Sequence, residues 1–386
     1  MCIRDRLEVE SENSSRGRSA AIRAARDFFY KGEIAEEIVR YSKSLGGQLS
    51  AKDLSDFSVE IESPPSGKYK EFDIFTCGPW SQGPVTAQVL QMLEGDEVST
   101  MSPNSPDYIH LLSQALNLAF SDRHYYYGDP DFVDVPISGL LSPGYTSLQR
   151  SRISLQNAFS EMPAPGDPWA FETKKKKVCQ SLKLSANVGR LEQDTSYTCV
   201  VDRWGNSFSA TPSDAVFGSP IVPGLGLIIS SRGTQSWLEK DHPSCIAPWK
   251  RPRLTPNPAM AFKNGKLFMP FGTPGGDAQC PAMVQTFLNI VEFGMNPQQA
   301  IEAPRFVPWN FPNSFWPHAY HPGLIQLEGR ISREVGRELS RKGHTIQYLE
   351  DWSPSTGAMS AIVVDCESGR LTAGADPRRD AYAIGR

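Results

Sequence analysis

The chain has 386 residues, of which 39% are hydrophobic and 21% charged, and carries a formal net charge of −4. This is the composition of a globular protein, long enough for one large domain or two lobes. The mild acidity gives no reason to expect nucleic acid or an anionic membrane as partner, and no apolar run approaches the roughly 18 residues needed to span a bilayer.

The opening Met1-Cys2-Ile3-Arg4-Asp5-Arg6 carries charge and no apolar core, so it does not read as a secretion signal. Helical patterning begins so early that the chain is expected to be a fragment opening in mid-domain, and the cytoplasm is favoured over the periplasm. Residues 18–45 place Ile22, Ala25, Phe29, Ile34, Ile38 and Tyr41 at helical spacing around Gly32. Ser50 reads as an N-cap with Asp53 at N3. Residues 71–76 alternate like a strand, 77–83 turn into a helix over 85–94, and another helix covers 108–122.

From about 128 to 193 the pattern turns irregular. Asp129-Pro130-Asp131, Met162-Pro163-Ala164-Pro165-Gly166 and the run Lys174-Lys175-Lys176-Lys177 are loop signals, and a flexible tail is expected over about 166–194. Beyond it, strands at 198–202 and 207–211 flank Arg203-Trp204-Gly205-Asn206, which is a hairpin signal. Further strands are expected at 225–229, 258–262 and 266–269, the last two joined through Lys263-Asn264-Gly265. A helix over 277–293 follows Gly272-Thr273-Pro274-Gly275-Gly276. A helix at 332–342 and a last strand at 360–365 complete an α+β arrangement of layers, not a doubly wound sheet.

Seven scattered cysteines without a Cys-x-x-Cys predict buried thiols, neither a disulfide framework nor a zinc site. His318 and His321 have no ligand set around them, so they read as loop histidines, and no metal or other cofactor is expected.

Three features could carry chemistry. Thr195 stands directly before the hairpin. Freed by cleavage of the Asp194–Thr195 bond, it would supply a hydroxyl nucleophile and, in its α-amine, the general base. Such an amine titrates near pH 8, close to working pH. Gly275 and Gly276 precede a helix start, where backbone N–H groups can form an oxyanion hole, although a Gly-Gly pair alone also reads as a tight turn. Gly275-Gly276 lacks the lysine and spacing of a phosphate-binding loop. Thr211-Pro212-Ser213-Asp214 places a second hydroxyl, Ser213, on the returning strand, while Asp214 alone reads as a cap.

Together these features resemble a family. Thr195-Ser196-Tyr197, Val200-Val201-Asp202, Gly205-Asn206, Thr211-Pro212-Ser213 and Phe217-Gly218 resemble the start of the small subunit of the γ-glutamyltransferases. Gly272-Thr273-Pro274-Gly275-Gly276 is similar to that family's Gly-Ser-Pro-Gly-Gly. Arg251-Pro252 with Pro256-Asn257-Pro258 resembles a divergent form of its Arg-Pro-Leu-Ser-Ser-Met-x-Pro, and Phe29–Ala35, Gly46–Leu49 and Asp53-Leu54 match upstream.

The resemblance implies an N-terminal-nucleophile hydrolase with a four-layer αββα sandwich, made as a proenzyme that cuts itself between Asp194 and Thr195. Thr195 would be the nucleophile, Gly275 and Gly276 the oxyanion hole, and Ser213 the helper hydroxyl. Residues 1–194 would be the mostly helical C-terminal part of a large subunit and 195–386 the small catalytic subunit, together one domain and a heterodimer, with further oligomerisation open. The missing front normally includes an arginine that grips the substrate α-carboxylate. The family's Asn-Gln-Met-Asp-Asp is replaced by Ser231-Arg232-Gly233-Thr234-Gln235, its serine pair by Leu254-Thr255, and its binding Asn by Asp214 or Ala215. Loss of an acid and gain of Arg232 shift the pocket from an ammonium toward a carboxylate. Asp214, Arg232, Gln235 and Thr255 are therefore the expected substrate-binding residues. The pattern is similar to the branch that includes oxamate amidohydrolase, which leaves γ-glutamyl transfer, glutathione hydrolysis or hydrolysis of a small carboxylate-bearing amide open. A non-catalytic scaffold or binding protein of the same fold is the alternative.

Overall fold

The computed structural model describes residues 2–173, 195–214 and 219–385, which form two compact units. The first unit comprises Met1–Ser63 and Asp214–Ser231. Its helices are Cys2–Glu12, Arg18–Lys31, Glu33–Ser44 and Ala51–Asp56, so the expected helical stretch is two helices interrupted at Gly32. At Ser50 the expected cap is reciprocal. Asp53 N donates to Ser50 Oγ (3.3 Å), and Ser50 N donates to Asp53 Oδ2 (2.7 Å). A short antiparallel hairpin pairs Ile221–Val222 with Leu227–Ile228, and Val222 packs with Ile34 and Ile38 in a small core of its own.

The second unit, Pro64–Ser213 with Arg232–Arg386, is built around a six-stranded antiparallel sheet. Its strands in spatial order are Ser66–Tyr69, Phe72–Thr76, Ala259–Lys263, Lys266–Gly272, Ser360–Val364 and Leu371–Ala375. The turn between the third and fourth puts Asn264 and Gly265 at φ 50° and 76°, the positive pair that a tight hairpin turn requires. Helices Gly83–Met92, Pro106–Tyr126 and Gln279–Val291 are buried along most of their length, polar side chains included. Phe287 meets Phe72 edge-on at 5.4 Å, joining the last of these helices to the sheet. A second, three-stranded sheet is ordered Thr345–Tyr348, Leu324–Leu327, Phe306–Pro308.

Four local expectations are corrected. The strand Ser66–Tyr69 was not anticipated, because Ser-Gly-Lys-Tyr offers little periodicity and its pairing with Phe72–Thr76 supplies the order. The last strand is Leu371–Ala375, an edge strand paired with Ser360–Val364. The region after residue 128 contains helices Ile137–Leu140 and Pro143–Ser151. The front of the expected flexible tail is fixed: Tyr126 Oη donates to Gly166 O (2.7 Å), Gly166 N donates to Asp122 Oδ1 (3.1 Å), and Trp169 is buried in the turn Pro168–Phe171. Residues 174–194, with the lysine run and Asp194, lie outside the described residues. Of the described cysteines only Cys280 is fully buried, since it sits on a buried helix; Cys77, Cys199, Cys245 and Cys366 are partly exposed.

Candidate active site

The hairpin expected before and after Arg203–Asn206 forms from Thr198–Val201 and Ser207–Ala210, with Val200 opposite Phe208. Asp202 closes its turn by accepting from the backbone N–H groups of Trp204 (2.9 Å) and Asn206 (2.8 Å). Pairing continues past the strands, where Ser196 N donates to Pro212 O at 3.0 Å. That register carries Thr195 beside Ser213, and their Oγ atoms lie 2.7 Å apart. Thr195 is only 7% exposed.

Tyr197 seats the hairpin on the sheet. Its ring lies so close to Gly272 that a Cβ there would sit 2.3 Å from Tyr197 Cε2. Only glycine leaves that space at the end of Lys266–Gly272. The phenol bonds to Ser209 Oγ (2.8 Å) on the returning strand, and burial pushes its pKa well above the ordinary tyrosine value.

Ser213 and Arg232 are the residues at which the chain leaves and re-enters the second unit. Arg232 Nη2 donates to Ser213 Oγ, and its Nη1 donates to Gln235 Oε1 at 3.2 Å. Gln235 Nε2 in turn donates to Thr255 Oγ1 at 3.4 Å. The guanidinium also lies over the Phe315 ring, 5.4 Å from its centroid. Thr195, Ser213, Arg232, Gln235 and Thr255 are thus joined in one continuous chain of hydrogen bonds. Asp214 belongs to the first unit, where it accepts from Ser230 Oγ at 3.1 Å.

Gly275 and Gly276 have φ of 131° and 54°, a consecutive pair in the region that side chains avoid. The turn is held from beneath. Gln82 Nε2 donates to Gly276 O (2.7 Å) and to Thr255 O (2.8 Å), while Gln82 Oε1 accepts from Arg123 Nη1 (3.0 Å). Asp277 does not cap the helix that follows. Its carboxylate pairs with Arg123 and accepts from Ser314 N and Oγ, both at 2.7 Å, all fully buried. These supporting residues escaped sequence reasoning. The available signal was Ser121-Asp122-Arg123-His124, four polar residues in succession inside a helix.

Among the described residues no group of His, Cys, Asp and Glu could hold a metal ion, and no helix is long and apolar enough to cross a membrane. His318 is buried, and its ring nitrogens face the carbonyls of Asn313 (3.0 Å) and Ser236 (3.2 Å).

Comparison with known proteins identifies the family. The sequence profile described as Gamma-glutamyltranspeptidase matches residues 21–386. The glutathione hydrolase proenzyme of Bacillus subtilis strain 168 is 31% identical over 363 residues, covering 93% of this chain and 59% of its own length. The oxamate amidohydrolase proenzyme of Klebsiella pneumoniae is 27% identical, covering 93% of this chain and 62% of its own length. The crystal structure of cephalosporin acylase from Bacillus halodurans superposes with a TM-score of 0.79 at 28% identity, covering 97% of this chain and 62% of that one. This chain therefore spans about six-tenths of the length of these relatives. Its mixed fold of helices and sheets is of the N-terminal-nucleophile hydrolase type found in such acylases. The chain belongs to the gamma-glutamyltranspeptidase family.

Proposed function

We propose that this chain carries the catalytic half of a self-processing amide hydrolase or acyl transferase, with Thr195 as nucleophile. The observation that carries the reading is the 2.7 Å contact between the Thr195 and Ser213 hydroxyls at the mouth of the hairpin, backed by Arg232, Gln235 and Thr255.

In processing, Thr195 Oγ attacks the carbonyl of Asp194, the hydroxyl proton passes to the amide nitrogen as the Asp194–Thr195 C–N bond breaks and frees the α-amine, and water then hydrolyses the resulting ester, restoring the Thr195 hydroxyl and releasing the Asp194 carboxylate. In turnover that amine accepts the hydroxyl proton as Oγ attacks the substrate amide. The leaving amine takes the proton, and water or an acceptor amine then releases the acyl group. The N–H groups of the Gly275–Gly276 turn stabilise the tetrahedral oxyanion. The two products, residues 1–194 and 195–386, remain together as a heterodimer within one four-layer αββα sandwich.

The substrate is read as a small amide with a free carboxylate, oxamate being one of that class, in preference to a γ-glutamyl donor. Arg232 supplies the charge that would meet the carboxylate, and its bonds to Ser213 and Gln235 are ones a carboxylate could replace. Gln235 and Thr255 complete the proposed binding set; Asp214, expected with them, belongs to the first unit.

The test is processing. Purified protein is expected to split between Asp194 and Thr195, giving a fragment whose N-terminal residue is Thr195, while Thr195→Ala stays one chain. A cut at another bond, or an unchanged pattern in the variant, rejects the assignment. An acyl adduct on Thr195, read by intact mass after incubation with substrate, separates an enzyme from a scaffold that has lost turnover.

A further inference from the structure

Beside the Arg123–Asp277 pair lies a second polar cluster that the catalytic reading leaves unused. Ser244 gathers it. Trp237 N donates to Ser244 O (3.0 Å), Arg253 N donates to Ser244 Oγ (3.0 Å), and Ser244 N donates to His242 Nδ1 (2.9 Å). The Trp237 indole is sandwiched between the rings of His242 and His318, at 4.3 and 3.8 Å with planes 11° and 9° apart. His124, from the helix Pro106–Tyr126, meets Trp237 and His242 edge-on at 4.9 and 5.0 Å. Arg253 is fully buried and spends Nη1 on the carbonyl of Arg123, at 3.2 Å.

The cluster is rich in donors and poor in acceptors. Because His242 Nδ1 accepts a hydrogen bond, the proton of its neutral ring is on Nε2, and that N–H has no partner. Trp237 Nε1 and the Nε and Nη2 of Arg253 are likewise buried without acceptors, and His124, whose neutral ring offers one donor and one acceptor, has neither nitrogen partnered. Burial, then the charges of Arg253 and Arg123, depress the pKa of His124, so it stays neutral. Asp277, whose charge favours the Arg253 cation, has its oxygens committed to Arg123 and Ser314. Arg253 is thus a buried cation with no carboxylate bonded to it, an arrangement that is strongly unfavourable unless something neutralises it. A water molecule could satisfy the N–H groups but not the charge.

We propose that Arg253, with the N–H groups of Trp237 and His242, forms a binding site for a small monoanion, either a halide or a carboxylate. The site is separate from the Thr195 chain of hydrogen bonds, so its test needs no activity.

The thermal midpoint of the full chain would be followed while sodium bromide or sodium acetate is added at constant ionic strength. A saturable rise on the order of 2 °C or more is expected for the wild type and none for Arg253→Met. A response to bromide alone identifies a halide site, and a response to acetate alone a carboxylate site. Trp237→Phe keeps the stacked ring but removes one N–H, so the concentration giving half the rise should increase several-fold. This variant carries the comparison if Arg253→Met does not fold. Crystals soaked in bromide should show an anomalous peak within hydrogen-bond reach of Arg253 and His242, reduced by acetate if the two compete. No saturable rise with either anion, or an equal rise in Arg253→Met, overturns the proposal.

Discussion

At the scale of single residues, the site depends on how little freedom its hydroxyls have. Ser213 lies between Thr195 and Arg232, so one of its lone pairs is used by the guanidinium while its hydroxyl stays in contact with Thr195. Removing that hydroxyl leaves Thr195 in place but without its neighbour, and misplacement of a reacting group by a fraction of an ångström is costly. Ser213→Ala is therefore expected to lower kcat on the order of 10²-fold. An unchanged kcat in steady-state assays would remove Ser213 from the machinery. Thr195, Ser213 and the glycine pair were legible in the sequence because their residue types and spacing carry chemistry. Arg123 and Gln82 were not, since a buried arginine or glutamine acquires its role only from the groups it meets.

At the scale of elements, the hairpin and the Lys266–Gly272 strand are matched through one contact. Tyr197 occupies the space that any side chain at residue 272 would need. Gly272→Ala should destabilise the protein by about 1–3 kcal/mol through overpacking, and the cost should shrink markedly in a Tyr197→Ala background. Denaturant titration of the two single variants and the double variant decides this; equal costs in both backgrounds would show that the ring is not the obstacle. Most helices and the two hairpins bounded by clear turn residues were readable locally, as the Ser50–Asp53 cap and the Asn264-Gly265 turn illustrate. The segment at 163–171 was not. Its proline and glycine content marks a loop, but its order comes from Ser121, Asp122 and Tyr126 on a helix distant in sequence.

At the scale of the whole molecule, a buried charge network joins residues far apart in sequence. Glu328 and Asp376 share Arg378, Asp376 also pairs with Arg305 and Glu328 with Arg330, and both carboxylates are fully or almost fully buried. Burial alone would raise their pKa values, but the bonds and charge of Arg378 at Glu328, and the charges of Arg305 and Arg378 at Asp376, outweigh it and leave both lowered. A depressed carboxylate pKa contributes stability that is present above the unfolded-state value and lost as pH falls through the folded one. Stability should accordingly hold down to about pH 4.5 and then decline steadily through and below 3.8, the ordinary values for these two groups. Urea midpoints measured across that range test the point, and a midpoint that does not fall would exclude the network as a source of acid lability.

The sequence by itself determined the family, the proposed nucleophile and the alternation of helices and strands, because periodicity, turn chemistry and short motifs are local properties. Tertiary structure alone decided which partners those residues have. Arg232 could be read as a cation near the pocket, but its bond to Ser213 exists only because the chain returns to the second unit at that point. Asp277 stands at the head of the expected helix, but a buried arginine from another helix claimed its carboxylate. A charged side chain's role is set by what neutralises it, and that partner lies far away in sequence.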